Sequence, residues 1–260
     1  MRIPYYQLDA FTNKVFAGNP AGVCPLETWL DDGTLQNIAA ENNLSETAFI
    51  VEKKEGWELR WFTPKTEVDL CGHATLASGF VVSSVLKRGG SVIRFSTKSG
   101  TLTVQARDDL LVMDFPSRKG EPASAPAALK KGLGCDFEEV YKSRDYLVVL
   151  ASEEDVKRLQ PDFAELAAVD SLGIIVTARG QAADFVSRFF APRVGIPEDP
   201  VTGSAHCTLV PYWSSRLGKD ELIAHQVSQR GGELFCKDMG DRVSIAGKAV
   251  IYLEGYIYTG

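Results

Sequence analysis

The chain has 260 residues, a net charge of −6, a hydrophobic content of 45% and a charged content of 24%. These values are ordinary for a globular protein, and the length suits one large domain or two of roughly 130 residues each. The acidic balance argues against binding to a phosphate backbone, so we expect no nucleic-acid partner. The sequence contains no apolar run near the ~20 residues that span a bilayer, so we expect no membrane partner.

The N-terminus and the cysteines indicate the compartment. Residues 1–6 lack the apolar region of a secretory signal. There is no Cys-x-x-Cys pair, and the number of cysteines is odd: Cys24, Cys71, Cys135, Cys207 and Cys236. This pattern favours free thiols in a reducing compartment. We therefore predict a cytoplasmic protein that acts on a small molecule.

The first half of the chain reads as strands and turns with two helices. Asp32 or Thr34 is predicted to cap a short helix that runs to about Asn43. A second helix is predicted over 73–87, where the following Arg-Gly-Gly ends it. Strands are predicted at 3–12, 48–51, 57–62, 92–96, 101–107 and 110–115.

The second half repeats the first when it is shifted by 128 positions, because residues 34–65 then fall on 162–193 without a gap. After three extra residues, Gly72 falls on Gly203. The identical pairs are Ala39/Ala167, Ala40/Ala168, Leu44/Leu172, Arg60/Arg188, Phe62/Phe190 and Pro64/Pro192. Although the identities are few, the shared order of helix, strands, glycine motif and helix indicates an internal duplication.

We therefore predict an α+β fold of two pseudo-symmetric halves, each a barrel-like mixed sheet wrapped around a central helix. The halves are residues 1–116 and 117–248, since the stretch 116–127 is rich in Pro, Ala and Ser and has turn composition. The strand predicted at 249–258 has no counterpart of equal length, so the segment 249–260 is expected to complete the first half.

Two glycine motifs, Asp69–Thr75 and Glu198–Ser204, each open a helical run. The free N–H groups at such a helix start form a site for an anion. Two equivalent sites predict one ligand held between the halves, with its carboxylate on Gly72, Gly203 and Ser204 and without any Arg or Lys. The simpler alternative is that these glycines only permit tight turns and close packing.

Proton-transfer chemistry is indicated by three residues. His73 follows the first glycine motif and faces the same opening, and histidine is suited to proton transfer near neutral pH. Glu46 lies at a helix-to-strand connection, where a half-buried carboxylate can act as acid and base in turn. Asp199 is placed to hold a substrate or to orient His73. The alternatives are a solvated loop residue for Glu46 and a capping or turn residue for Asp199.

The remaining cysteine and histidine candidates are weaker. Cys71, beside a helix N-terminus, is either a reactive thiol or a small apolar filler, and its repeat counterpart is Thr202, so a two-thiol relay is not available. His206 is expected to pack, and His225, at the start of a strand, to be structural. No linear metal-ligand motif is present, so no metal or other cofactor is predicted.

The sequence resembles the PhzF-like family, the phenazine-biosynthesis isomerase and its relatives, within the diaminopimelate-epimerase-like fold. The resemblance covers essentially the whole chain in the expected order. It is carried by the motifs at 9–12, 18–23, 44–49, 69–75 and 198–205. It implies a cofactor-free active site between two halves and a homodimer. It also implies that Glu46 shuttles a proton between carbons, while His73, Asp199, Ser204 and the glycine amides bind the substrate.

We thus predict a cofactor-independent isomerase that acts on a small carboxylate-bearing metabolite, a class that includes cyclic acids, with Glu46, His73 and Asp199 as catalytic residues. One alternative is an amino-acid epimerase or dehydratase that uses Cys71 with Thr202. An alternative of another class is a small-molecule-binding or interaction protein without turnover.

Overall fold

Strands make up most of the regular structure of residues 1–260 in the computed structural model. The strands are β1 (Arg2–Ala10), β2 (Asn19–Leu26), β3 (Glu46–Lys53), β4 (Gly56–Phe62), β5 (Glu67–Val68), β6 (Val92–Thr97), β7 (Gly100–Arg107), β8 (Leu110–Pro116), β9 (Glu121–Pro122), β10 (Glu139–Lys142), β11 (Tyr146–Val149), β12 (Ile174–Arg179), β13 (Phe185–Ala191), β14 (Ile196–Asp199), β15 (Glu221–Gln226), β16 (Gly232–Asp238), β17 (Arg242–Gly247) and β18 (Ala249–Tyr258).

The helices are α1 (Asp32–Asn42), α2 (Gly72–Phe80), α3 (Ala127–Leu133), α4 (Glu153–Arg158), α5 (Phe163–Ala167) and α6 (Gly203–Leu217). A π-helical turn, Val81–Val85, continues α2, and a 3-10 turn, Pro192–Val194, follows β13. None of the helices combines the length and the apolar character that a bilayer crossing requires.

The chain divides into two compact units. The first comprises Met1–Asp114 with Ala246–Gly260, and the second comprises Phe115–Ile245. The chain passes from the first unit into the second between residues 114 and 115. This boundary lies beside the turn-rich stretch that the sequence analysis identified at 116–127. That stretch is not wholly irregular, because β9 within it pairs with β10, with Pro122 opposite Tyr141.

In the first unit, a mixed sheet surrounds α2. The neighbours are β18, β1, β2, β3, β4, β6, β7 and β8, and the pairs β2–β3 and β4–β6 are parallel. Helix α2 lies against β1, β2, β3, β7 and β18, and its residues 73–79 are buried. Helix α1 packs Leu35 and Ile38 on Phe49 and Phe62. Because β3 is covered on both faces, its sequence is an unbroken apolar run rather than an alternating one.

In the second unit, α6 corresponds to α2 of the first unit. Trp213 donates its indole N–H to Thr177 Oγ1 of β12 at 3.0 Å and stacks on Phe185 of β13 with ring centroids 5.8 Å apart. Pro211 lies inside α6 and has no N–H to donate to the carbonyl of Cys207. The backbone N–H of Arg118 donates to that carbonyl at 2.8 Å, so the proline does not leave a buried carbonyl unpaired.

The two units share one order of strand pairing. In the first unit, β2–β3 is parallel, β3–β4 antiparallel and β4–β6 parallel. In the second, β11–β12, β12–β13 and β13–β15 follow the same sequence of directions. Cys71 and Thr202 are the N-cap residues of α2 and α6. This common topology supports the duplication inferred from the 128-residue shift.

Two helix boundaries differ from the sequence prediction. The N-cap of α1 is Asp31 rather than Asp32 or Thr34, because the Asp31 carboxylate accepts the N–H of Thr34 at 2.9 Å. The second helix, predicted over 73–87, is α-helical only to Phe80. Its last turn widens to a π-helix, in which the N–H of Leu86 donates to the carbonyl of Val81.

The Arg60–Glu67 ion pair makes the first unit sensitive to acid. Arg60 Nε and Nη2 donate to the two carboxylate oxygens of Glu67 at 2.8 and 2.9 Å. These bonds, together with Lys98, lower the pKa of Glu67 from about 4.5 to about 2. Because the folded-state pKa is depressed, the stabilisation is complete above pH 4.5 and is lost as the pH falls toward 2.

We expect Glu67→Gln to lower the free energy of unfolding at neutral pH by about 1–2 kcal/mol, a value discounted for solvent screening of a partly exposed pair. The variant should also lose less stability than the wild type between pH 4.5 and 2. Urea denaturation at a series of pH values measures both effects. Glu55→Gln, at an exposed turn position, is the control. An unchanged acid profile for Glu67→Gln would contradict the assignment.

Candidate active site

Glu46 and His73 meet in the first unit because each begins a buried element. Glu46 is the first residue of β3, and His73 lies in the first turn of α2. Glu46 Oε2 lies 3.1 Å from His73 Nε2, and the two side chains are only 12% and 7% exposed. The Oε2 atom is buried and has no hydrogen bond of good geometry. A carboxylate oxygen in this state keeps a lone pair available to a ligand.

Asn19 is the second contact of the His73 ring. It is the first residue of β2, and its Nδ2 lies 3.2 Å from His73 Nδ1. The ring is therefore held at both nitrogens, by an amide on one side and a carboxylate on the other. Asn19 lies within the motif at 18–23, but no role for it was predicted from the sequence.

The charge state of His73 is set by competing effects. Burial alone lowers its pKa, but the neighbouring Cys71 and Glu46 outweigh burial and raise the pKa well above 6.5. We attribute the net direction chiefly to the carboxylate of Glu46, because burial disfavours the thiolate form of Cys71. The raised pKa favours the protonated imidazolium of His73 near neutral pH.

Cys71 completes this group of side chains. Its Sγ lies 3.5 Å from His73 Nδ1 and 4.0 Å from Nε2. Burial, with a further contribution from Glu46, raises the pKa of the thiol to about 11. The acidified thiol that a helix N-terminus alone would give is thus not observed, because desolvation wins.

In the second unit, Asp199 is the last residue of β14 and Ser204 is the second residue of α6. Thr202 Oγ1 donates to Asp199 Oδ2 at 2.5 Å. Arg144 Nη2 donates to Ser204 Oγ at 3.1 Å and also pairs with the buried Asp145. An arginine therefore lies beside Ser204, whereas the sequence analysis expected an anion site without Arg or Lys. Arg144 is 60 residues from Ser204 in the chain, so no local signal connects them.

Gln226 fixes the turn that precedes α6. Its Oε1 accepts the backbone N–H of Thr202 at 2.8 Å, and its Nε2 donates to the Asp199 carbonyl at 2.7 Å and to Thr202 Oγ1 at 3.1 Å. The side chain is 1% exposed. Gln226 was not found from the sequence, because it acts through backbone groups more than 20 positions away.

We expect Gln226→Met, which keeps the volume and removes the amide, to lower the free energy of unfolding by about 2–4 kcal/mol. The reason is that the buried N–H of Thr202 loses this acceptor. Chemical denaturation measures the change. Gln229→Met, three residues away at an exposed position, should change the free energy by less than about 0.5 kcal/mol. Equal losses in the two variants would refute this role.

The other two histidines lie outside the Glu46–His73 pair. His206 is fully buried, and its Nδ1–H donates to the Thr202 carbonyl at 2.9 Å. Burial lowers its pKa to about 4, so it packs as a neutral ring, as its sequence position indicated. His225 lies one residue before the end of β15 rather than at a strand start.

The predicted site residues thus fall into two groups. Glu46, Gly72 and His73 come together at the start of α2 in the first unit. The other group, in the second unit, consists of Asp199, Gly203 and Ser204. The position equivalent to Glu46 in the second unit is Ile174, which begins β12 and is buried in an apolar cluster. The carboxylate–imidazole pair is therefore a feature of the first unit alone at these equivalent positions.

These features define an α+β protein with two units of shared topology and a buried carboxylate–imidazole pair at a helix start. The chain belongs to the phenazine biosynthesis-like family (PhzC-PhzF), whose sequence profile matches residues 8–255. The predicted family membership is therefore confirmed.

Relatives match over the full length. An uncharacterized isomerase of Pseudomonas aeruginosa is 52% identical over 258 residues, which cover 99% of this chain and 100% of the relative. A second, from Halalkalibacterium halodurans, is 48% identical, with 98% of each chain covered. The crystal structure of a PhzF-family protein of Enterococcus faecalis is 46% identical and superimposes with a TM-score of 0.98 over 100% of both chains.

The wider fold class is also confirmed. A hydroxyproline epimerase of Agrobacterium vitis, 9% identical, matches with a TM-score of 0.61 over 98% of this chain and 92% of its own. At that identity the likeness extends to the fold alone and carries no information about the reaction.

Proposed function

We propose that the protein is an isomerase that moves a proton on a small carboxylate-bearing substrate, with Glu46 as the general acid and base. The observation that carries the proposal is the buried Oε2 of Glu46, which lies beside His73 Nε2 without an aligned hydrogen bond. The full-length relatives in two bacteria are described as isomerases.

The proposed reaction needs only a proton shuttle. The Glu46 carboxylate takes a proton from a substrate carbon, becomes the acid, and returns the proton to the same carbon or to one two positions away. His73 stays within contact of Glu46 throughout, and its charge compensates the carboxylate between the two steps. Asn19 holds the imidazole so that Nε2, rather than Nδ1, faces Glu46.

Negative charge that develops on the substrate needs a positive partner. The N–H groups of the first turn of α2, including those of Gly72 and His73, have no acceptor within the helix. These amides and the positive end of the helix favour a carboxylate or an enolate there. We further propose Asp199, Gly203 and Ser204 as substrate-binding residues of the second unit, with Arg144 orienting the Ser204 hydroxyl.

Two other functions remain as alternatives. An epimerase or dehydratase that uses Cys71 with Thr202 is disfavoured, because the Cys71 thiol is buried with its pKa raised to about 11. A binding protein without turnover has no need to hold a titratable carboxylate and imidazole out of water, which costs free energy. Neither alternative therefore accounts for the Glu46–His73 pair as directly.

A ligand screen followed by an exchange assay tests the proposal. Small carboxylic acids, cyclic ones included, are first ranked by the rise in the thermal unfolding temperature of the protein. Each ligand is then incubated with the protein in D₂O, and deuterium incorporation is followed by NMR. We expect at least one ligand to gain deuterium at carbon. Ligands that bind tightly and never exchange would instead support the binding function.

A further inference from the structure

The side chains of Glu46, Cys71 and His73 together present the ligand types that zinc prefers. One donor atom from each, an oxygen, a sulfur and a nitrogen, lies within 4.8 Å of the other two. The Oε2–Nε2 distance is 3.1 Å and the Sγ–Nε2 distance is 4.0 Å. In a tetrahedral zinc site with bonds of roughly 2.0–2.3 Å, ligand atoms are about 3.3–3.7 Å apart. The Cys71 Sγ lies nearer to His73 Nδ1, at 3.5 Å, than to Nε2, so the Cys71 side chain must rotate toward Nε2 to complete the site.

We propose that Glu46, Cys71 and His73 bind Zn²⁺, or a similar soft divalent cation, and that the bound ion inhibits the protein. The sequence could not indicate this site, because Cys71 and His73 are two residues apart and Glu46 comes from another element. Three protein ligands leave a fourth position open for water or a ligand group.

The charges and the outer contacts favour the ion. A thiolate, a carboxylate and a neutral imidazole carry two negative charges, which balance Zn²⁺ in surroundings that exclude water. Zinc displaces the proton of a thiol that it coordinates. A metal-bound histidine typically donates its other ring N–H to an acceptor; Asn19 lies 3.2 Å from His73 Nδ1 through its amide nitrogen, so its amide must turn to present Oδ1 to the ring. Glu46 Oε2 has no competing hydrogen bond to break.

Inhibition follows from which atoms the ion would occupy, and this part rests on the proposed function. Zinc on Oε2 takes the lone pair that would accept the substrate proton. Zinc on Nε2 replaces the proton that compensates the carboxylate. We therefore expect the ion to compete with substrate and to be removed by a chelator.

Binding can be tested without any substrate. Co²⁺ is titrated into the chelator-treated full-length protein, and the absorption is recorded. We expect a thiolate-to-cobalt charge-transfer band that saturates at one ion per chain and disappears on addition of Zn²⁺. Cys71→Ser should abolish the band, and Glu46→Gln or His73→Asn should weaken cobalt binding by at least about 10-fold. Cys135→Ser, which removes a partly exposed thiol, is the control and should keep the band.

Three results would overturn the proposal. The first is the lack of a charge-transfer band in the wild type, and the second is a band lost in Cys135→Ser but kept in Cys71→Ser. The third is undiminished deuterium exchange by the zinc-saturated protein, which would overturn the inhibitory role. Failure of the zinc site leaves the proposed function intact. That function fails separately, if metal-free Glu46→Gln retains exchange.

Discussion

Replacing Glu46 by Gln is expected to lower the rate of deuterium exchange into a substrate by about 10²–10⁴-fold, the usual contribution of a general acid or base. Glutamine keeps the shape of the side chain and its contact with His73, but it cannot accept and return a proton. Substrate binding should change less than the exchange rate, because the amide occupies the same space. NMR in D₂O measures exchange, and thermal shift measures binding.

Two companion variants make this result specific. Glu41→Gln, on the exposed face of α1, has the same chemical change at a distant position and should exchange at the wild-type rate. Cys71→Ser distinguishes the proposed isomerase from the alternative epimerase or dehydratase, which would depend on the Cys71 thiol. Loss of exchange in Cys71→Ser, with Glu46→Gln fully active, would replace the proposed mechanism by one that depends on the thiol.

Gly18→Ala is expected to destabilise the protein by about 3 kcal/mol or more. Gly18 has φ of +65°, a left-handed conformation that disfavours any residue with a Cβ. A Cβ at this position would also lie 2.2 Å from the backbone oxygen of Ala10. Because that atom belongs to the end of β1, the strand or the turn must move. Urea denaturation measures the change in the free energy of unfolding.

Gly90→Ala separates the two causes of the Gly18 effect. Gly90 has nearly the same conformation, with φ of +61°, but nothing lies within 4 Å of its added Cβ. We expect it to cost about 1–2 kcal/mol, from backbone strain alone. The difference between the two variants measures the steric conflict with Ala10. Equal losses would show that strain accounts for the whole effect at Gly18.

The Gly18 turn also bears on the active-site histidine. The next residue, Asn19, contacts His73, so a displaced turn should alter the imidazole as well as the stability. In Gly18→Ala, NMR titration of the His73 ring should therefore show a changed pKa, whereas Gly90→Ala should leave it as in the wild type. An identical titration in both variants would contradict the orienting role of Asn19.

The features found from sequence are those with a local cause. The apolar run at 48–51 predicted β3, and the glycine motifs predicted the starts of α2 and α6. Glu46 was identified from its place at a helix-to-strand connection, and the apolar residue at the equivalent repeat position, Ile174, indicates that this position can be buried. These signals need only neighbouring residues or the comparison of one half with the other.

The features that were missed depend on contacts between distant parts of the chain. Arg144 reaches Ser204, and Gln226 reaches Thr202, through hydrogen bonds that no spacing rule encodes. The metal-ligand geometry of Cys71 and His73 required Glu46 from β3. The elevated pKa of the Cys71 thiol likewise depends on burial, which the helix-start argument could not supply.

The pairing of β1 with β18 determines the order in which the two units can fold during synthesis. Arg2 lies opposite Tyr258, so β1 must wait until β18 has been synthesised before this edge of β1 is covered. Residues 115–245 form their own unit and have all been synthesised by then. We therefore expect the second unit to fold first on the ribosome, while the Glu46–His73 cluster becomes stable only once β18 is available to pair with β1.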